Sequence, residues 1–241
     1  LDRGSESICG ILATAMPIPK RITWVTTDVY GTLIDWESGV LDAFKTAAQE
    51  DDQTIDKNGI LEPFKAIQHK IESGSYELYA EVLRRTAVQI ANDGGWQLES
   101  SRAGFLPASI PSWKPFREAN PALNKIGKKY KTGLVSNIDD KLLGFTRRHI
   151  PLEVDLVVTA QQVRAYKPDP AHFKEFARRI GGKKGWVHIG SGYLTDVEPC
   201  LKMKVPVIWV NRNKETLEKG QRKPDAEVPN LKAALALLGI D

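Results

Sequence analysis

The chain has 241 residues, 41% hydrophobic and 27% charged, which is enough apolar material for a sizeable core and compatible with one large domain or two smaller ones. Its formal net charge of +4 is mild, and no Lys/Arg stripe is interleaved with aromatics, so nucleic acid is excluded as the expected partner while a small anionic substrate is not. The two cysteines, Cys9 and Cys200, make neither a disulfide framework nor a zinc spacing, and no apolar run approaches the roughly 18 residues of a membrane helix.

Residues 1–15 come before Met16. The apolar run from Ile8 to Ile18, with Ala13-Thr14-Ala15, faintly resembles a secretory segment, but it is short, and Asp2 and Glu6 offset Arg3. Residues 1–15 are therefore read as a leader, an expression remnant or a mis-set start. From Met16 onward the sequence reads as cytoplasmic.

The stretch Ile22 to Trp36 opens the fold. Its β-branched run predicts a buried strand that ends on Asp28, with Gly31 and Thr32 in the turn beyond. A carboxylate there either caps the turn or acts as a nucleophile. Helical spacing follows over Val40–Glu50, Ile60–Ile71 and Tyr76–Ala91, and Asn92-Asp93-Gly94-Gly95 stops the last helix. No strand signal appears between about 38 and 112, which predicts a helical insert. Pro107, Pro111 and Pro115 predict a stiff return passage.

Helices and strands then alternate. Helices are expected over Pro121–Lys129, Asp140–Arg148, Ala171–Ile180, Val197–Met203 and Leu231–Leu238. Strands are expected over Thr132–Val135, Leu156–Thr159, Trp186–Ile189 and Val207–Val210, and the polar run Asn211 to Pro224 reads as a solvated loop. The alternation predicts an α/β fold with a doubly wound, Rossmann-like parallel sheet. Residues 16–37 and 113–241 would form that core, and residues 38–112 a helical cap. The aromatics Tyr76, Tyr79, Trp96 and Trp113 are expected to pack within the cap, and Trp36 to reach the pocket from the hinge.

In such a sheet the carboxyl ends of all strands open onto one crevice. Here they carry Asp28, Ser136-Asn137 and Ser191, with Lys167 and Asp196 in adjoining loops. Singly, each has a plainer reading: Thr32 and Asp196 as helix caps, Ser136 and Asn137 as turn formers, Lys167 as a surface residue. Together they predict one site. The four histidines, His69, His149, His172 and His188, form no ligand pattern and are expected to be packing or surface residues.

Four motifs carry a family resemblance: Asp28-Val29-Tyr30-Gly31-Thr32-Leu33, Ser136-Asn137, Tyr166-Lys167-Pro168-Asp169-Pro170, and Gly190-Ser191 with Asp196. On these the chain resembles haloacid dehalogenase (HAD) superfamily hydrolases with a C1-type cap. Phosphatases of that superfamily have a second aspartate two after the nucleophile and acidic metal ligands in the fourth motif. Those positions are Tyr30 and Ser191 here. Both departures resemble the type II, metal-independent 2-haloacid dehalogenases.

The resemblance implies Asp28 as nucleophile, Lys167 as its counter-ion, and Asp196 positioning the hydrolytic water. Thr32, Tyr30, Trp36, Ser136, Asn137, Ser191 and Tyr193 would hold the nucleophile or the substrate. It implies no cofactor. Mg²⁺ enters only under the alternative of a phosphatase using Asp28, and a non-catalytic protein on the same fold is the other alternative. Small anionic substrates are the expected partners, without membrane or nucleic acid, and a homodimer is left open. The sequence departs from the dehalogenase pattern in three places. There is no arginine between Arg21 and Arg84 to accept a halide, leaving Gln68, His69 and Lys70 as the nearest polar substitutes; Tyr193 replaces an asparagine; and Phe173 replaces a tyrosine.

Overall fold

A computed structural model describes residues 18–56 and 58–241. The expectations for residues 1–15, and Cys9 with them, lie outside the described residues. Six parallel strands form one sheet in the order β3-β2-β1-β4-β5-β6. They are β1 (Trp24–Thr27), β2 (Lys131–Ser136), β3 (Leu156–Thr159), β4 (Trp186–Gly190), β5 (Val207–Val210) and β6 (Ala226–Val228). β1 lies inside the sheet, with Thr27 beside Leu134 of β2 on one side and Ile189 of β4 on the other. The chain winds outward from β1 in both directions, which puts the switch point, and so the crevice, at the end of β1.

Alternation along the strands sorts side chains between two cores. Val25, Leu134, Val187, Ile189, Ile208 and Val210 face one layer. Val135, Trp186, Val207 and Trp209 face the other, with Phe173 and Phe176 of the helix Ala171–Ile180. Gly133 interrupts β2 because a Cβ there would lie 2.5 Å from the Phe176 ring. No helix among the described residues is long and apolar enough to cross a membrane.

Between β1 and β2 come α1 (Trp36–Glu50), α2 (Asn58–Glu72), α3 (Tyr79–Asp93), α4 (Phe105–Ser109) and α5 (Ala119–Gly127). The outgoing and returning chains pair where they leave the sheet. Phe116 N–H donates to the Leu33 carbonyl, and Asp35 N–H to that of Lys114, each over 2.9 Å. Trp113 packs so closely on α1 that a Cβ on Gly39 would lie 2.4 Å from its ring.

Several boundaries differ from expectation for local reasons. α1 begins at Trp36, not Val40, because the Asp35 side chain accepts from Ser38 N–H at 3.1 Å and caps it. α3 begins at Tyr79, not Tyr76, because Asp139, distant in sequence, takes the amides of Tyr79 and Ala80 at 2.8 and 2.9 Å. The proline-rich return is not wholly extended: it holds α4 and a 3₁₀ turn at Ile110–Ser112. β6 was not expected at all, since three residues around an exposed glutamate carry no period. The remaining helices are α6 (Asp140–Thr146), α7 (Ala160–Val163), α8 (Ala171–Ile180), α9 (Glu198–Met203) and α10 (Leu231–Leu237).

Candidate active site

A cavity of about 560 Å³ opens at the carboxyl ends of the strands. Asp28, Tyr30, Ser136, Asn137, Lys167, Ser191 and Asp196 line it from the sheet side, and Trp36, Phe64, Gln68, Glu72 and Tyr79 from the helical insert. Sequence positions more than a hundred residues apart thus meet on one wall.

Asp28 follows β1 directly, and its amide donates to the Ile189 carbonyl at 2.9 Å. The Lys167 ammonium sits between two carboxylates, 2.8 Å from Asp28 Oδ1 and 2.5 Å from Asp196 Oδ1, and also donates to the Val135 carbonyl at 3.1 Å. All three side chains are almost wholly buried. Two reciprocal bonds fix the lysine loop: Lys167 N–H donates to Asn137 Oδ1 at 2.7 Å, and Asn137 Nδ2 to the Lys167 carbonyl at 3.1 Å. The Asn137 amide is therefore committed to Lys167, although the residue also borders the cavity.

One cation shared by two buried carboxylates sets the protonation pattern. Burial pushes the Asp28 carboxyl up to about 6; Lys167 pulls it back and Asp196 adds to the rise. Burial also works against ionised Asp196, but Lys167 and His188 outweigh it and hold that carboxyl well below the usual range. Lys167 stays charged because Asp196 and Asp28 overcome its own desolvation.

Asp196 is placed by a single π-turn over Tyr193–Val197. Its Oδ2 accepts from Gly192 N–H at 3.0 Å. Its Oδ1 also faces His188 Nε2 at 3.4 Å, while His188 Nδ1 lies 2.8 Å from Thr26 Oγ1. Trp186 Nε1, which can only donate, gives its proton to Thr26 Oγ1 at 2.8 Å. The hydroxyl proton of Thr26 is then free for His188 Nδ1, which leaves Nε2–H facing Asp196. Burial, opposed only in part by Asp196, keeps this ring neutral. His188 thus joins the site from behind, where the sequence suggested only packing.

The other expected residues are placed as follows. Thr32 is buried below the cavity, with Oγ1 3.4 Å from Asp28 Oδ2. The Tyr30 hydroxyl bonds with Thr146 Oγ1 at 2.7 Å, and burial holds the phenol protonated. Trp36 stacks on Phe64 at a centroid distance of 5.2 Å. Ser136 Oγ is fully buried, with no hydrogen-bond partner among the described residues. Tyr193 is the exception, because the π-turn carries it away from the cavity. Its hydroxyl donates to the Arg222 carbonyl at 2.8 Å and its ring packs edge-on against Trp209. Of the polar substitutes on α2, Gln68 and His69 line the cavity and Lys70 does not.

Arg212, from the loop after β5, was not foreseen. It donates to the carbonyls of Gly31 and Thr32 at 3.0 and 2.8 Å, pairs with Glu118 at 2.7 Å and lies 3.7 Å over the Phe116 ring. It thereby ties the nucleophile loop to the returning chain. Gly31 in that loop has φ +93°, and a Cβ there would lie 2.5 Å from Ser191 Oγ. Replacing Gly31 with Ala should cost roughly 1–3 kcal/mol of stability from backbone strain, read as a lower urea midpoint at unchanged m-value; an unchanged midpoint would show that the loop yields freely.

The donor set does not suit Mg²⁺, which needs hard oxygen ligands in near-octahedral order. The lysine ammonium already bridges Asp28 and Asp196, and the positions that would add acids are Tyr30 and Ser191. Among the described residues no three His, Cys, Asp or Glu side chains are grouped to hold a metal.

Comparison with known proteins bears on the family and the fold. The family model for haloacid dehalogenase-like hydrolases matches residues 22–201. Haloacid dehalogenase-like hydrolase domain-containing protein 3 from Danio rerio is 33% identical over 104 residues, 42% of this chain and 43% of that protein's own length. L-2-haloacid dehalogenase from Xanthobacter autotrophicus with chloropropionic acid covalently bound superposes with a TM-score of 0.79 at 17% identity, over 90% of this chain and 98% of that one. A defluorinating L-2-haloacid dehalogenase gives 0.77 at 18% identity, over 94% of this chain and all of the other. A HAD-hydrolase from Bacillus subtilis bound to magnesium gives 0.79 at 15%, over 92% of this chain and all of the other. At these identities the likeness to the solved structures is one of fold.

Proposed function

Since the chain belongs to the haloacid dehalogenase-like hydrolase family, we propose that it is a metal-independent hydrolytic dehalogenase of a 2-haloacid, working through an ester on Asp28. The observation that carries this reading is the Asp28–Lys167–Asp196 bridge beside a protonated, hydrogen-bonded Tyr30. It provides a nucleophile with its counter-ion but no second acid for a leaving oxygen, and a halide leaving group needs no proton.

In the proposed cycle the Asp28 carboxylate attacks the α-carbon, the carbon–halogen bond breaks and the halide leaves with the electron pair. Water then adds to the ester carbonyl carbon. Attack there creates an oxyanion, which backbone N–H groups near Val29 and Tyr30 would stabilise. Asp196 is a weak base in this setting, so its role is chiefly to orient the water. Breakdown cleaves the bond from the carbonyl carbon to the ester oxygen, which takes one proton of the water and leaves as the 2-hydroxyacid; the other proton goes to solvent and Asp28 returns as the carboxylate. Ser136 and Ser191 would bind the substrate carboxylate, residues 38–112 would cover the site as a cap, and the enzyme would act in the cytoplasm.

Chloride or bromide release from 2-chloropropionate or bromoacetate, assayed with and without EDTA, tests this directly. Release unaffected by EDTA is expected. Loss of release under EDTA, with phosphoester hydrolysis restored by Mg²⁺, would favour the phosphatase alternative, for which the magnesium-bound neighbour is the supporting observation.

The pH profile is a separate test. The nucleophile must be ionised, and burial pushes Asp28 up to about 6. The value of kcat/KM should therefore rise with pH through about 6 and level off above it. A flat profile from pH 4.5 to 8 would contradict the assignment of Asp28.

A further inference from the structure

A 2-haloacid as small as haloacetate fills only part of this cavity. Five heavy atoms occupy about 150 Å³, taking roughly 30 Å³ for each water-sized atom, against a cavity of about 560 Å³. The remainder reaches into the helical insert, where the electrostatics are unusual. Among the described residues, every permanent cation on the cavity wall is already engaged: Lys167 by Asp28 and Asp196, Lys65 by Glu37, and Arg212 by Glu118.

Glu72, at the end of α2, has no such partner among the described residues. Its Oε1 accepts only from Gln68 Nε2, at 3.0 Å, and Gln68 is held in turn by the Tyr79 hydroxyl at 3.3 Å. A neutral amide supplies one hydrogen bond and no charge. Burial pushes the Glu72 carboxyl up to about 8, with Gln68 and the charge of Lys167 offsetting it only in part. On the same cavity, next to the nucleophile, the buried Ser136 Oγ also has no partner among the described residues. The site thus has an unfilled hydrogen-bonding position at the sheet and an unpaired acid in the insert.

We propose that the substrate is zwitterionic: an amino-substituted 2-haloacid whose carboxylate lies at the sheet end of the cavity, by Asp28, and whose ammonium pairs with Glu72. The ammonium supplies the cation that the described wall of the insert lacks, and its charge lets Glu72 ionise. The placement of the carboxylate rests on the dehalogenase reading; the pairing at Glu72 does not require turnover.

Calorimetric binding of 4-aminobutanoate and 6-aminohexanoate, against butanoate and hexanoate, tests it without chemistry. At least one amino acid should bind the intact protein about tenfold or more tighter than the plain acid of equal length, and Glu72→Gln should abolish the difference. Titration at pH 7.5 in buffers of different ionisation enthalpy adds a readout that needs no variant. An incoming ammonium converts the protonated Glu72 to the carboxylate, so binding should release a fraction of a proton, and hexanoate should release none. Equal affinities, or a preference that survives in Glu72→Gln, or binding without proton release, would each overturn the proposal. If the preference holds but no halide is released from any 2-haloacid, the dehalogenase reading fails while the Glu72 assignment stands.

Discussion

Asp28→Asn should lower halide release by at least about 10⁴-fold, the scale on which loss of a covalent nucleophile acts. The amide has the shape of the carboxylate but does not form the ester. Lys167 keeps Asp196 as its partner, so the fold should survive, with a stability change of no more than about 1–2 kcal/mol. The informative result is a folded, inactive protein that still binds a non-reactive carboxylate. Retention of more than about 1% of the parental rate in a homogeneous preparation would place the chemistry on another residue.

Lys167→Met should affect stability and rate together. From the sequence, a loop lysine acting as counter-ion would be expected to cost much rate and only modest stability when lost. The structure places its ammonium, 2% exposed, between two buried carboxylates. Removing the cation leaves two like charges without compensation, a change that costs about 3–5 kcal/mol when a buried pair is broken. The chain can relieve this only by taking up a proton on one carboxyl, and Asp28, already pushed up to about 6, is the group that takes it. The nucleophile is then neutral at pH 7, and the rate should fall by at least about 100-fold, since each pKa unit above the working pH costs roughly tenfold in ionised fraction. The variant should recover both stability and activity in part as conditions move each carboxyl back to its preferred state: stability toward low pH, activity toward high pH. A variant as stable as the parent at pH 7 would mean that the bridge is weaker than its distances imply.

Five of the six strands were legible in the sequence because they are short β-branched runs separated by helical periods, a pattern that survives without tertiary information and that β6 lacks. The strand-end residues were legible for the same reason: once the order of elements is fixed, a parallel sheet determines which residues share the crevice. What the sequence hid depends on contacts between distant residues. Asp139 sets the start of α3 from the other side of the chain. Arg212 sits in a polar loop that resembles solvated chain, yet its fork matches two carbonyls of the nucleophile loop. Nothing in the spacing distinguishes Glu72 from other helical glutamates; only the cavity reveals that it lacks a cation. Tyr193 misled in the opposite direction. Its place in the motif suggested substrate contact, but the π-turn that delivers Asp196 turns the tyrosine toward Trp209.

The absent cap arginine bears on the same question. None of Arg84, Arg85 or Arg102 lines the cavity. Arg85 pairs with Glu77, and Arg102 with Glu50 and Asp51. Among the described residues the one arginine on the wall, Arg212, is committed to the loop and to Glu118. Under the proposed dehalogenation the halide would leave beside Gln68 and the aromatic wall, without a charged arginine to accept it.

The central claim is that Asp28 forms the ester and that water attacks its carbonyl. A single turnover in H₂¹⁸O, with enzyme in excess over 2-chloropropionate, followed by peptide mass spectrometry, tests both parts at once. Incorporation of one ¹⁸O atom into the peptide carrying Asp28, with unlabelled 2-hydroxypropionate released, is the predicted result. Label found in the hydroxyacid and absent from that peptide would mean that water attacks the substrate directly, and would contradict the account.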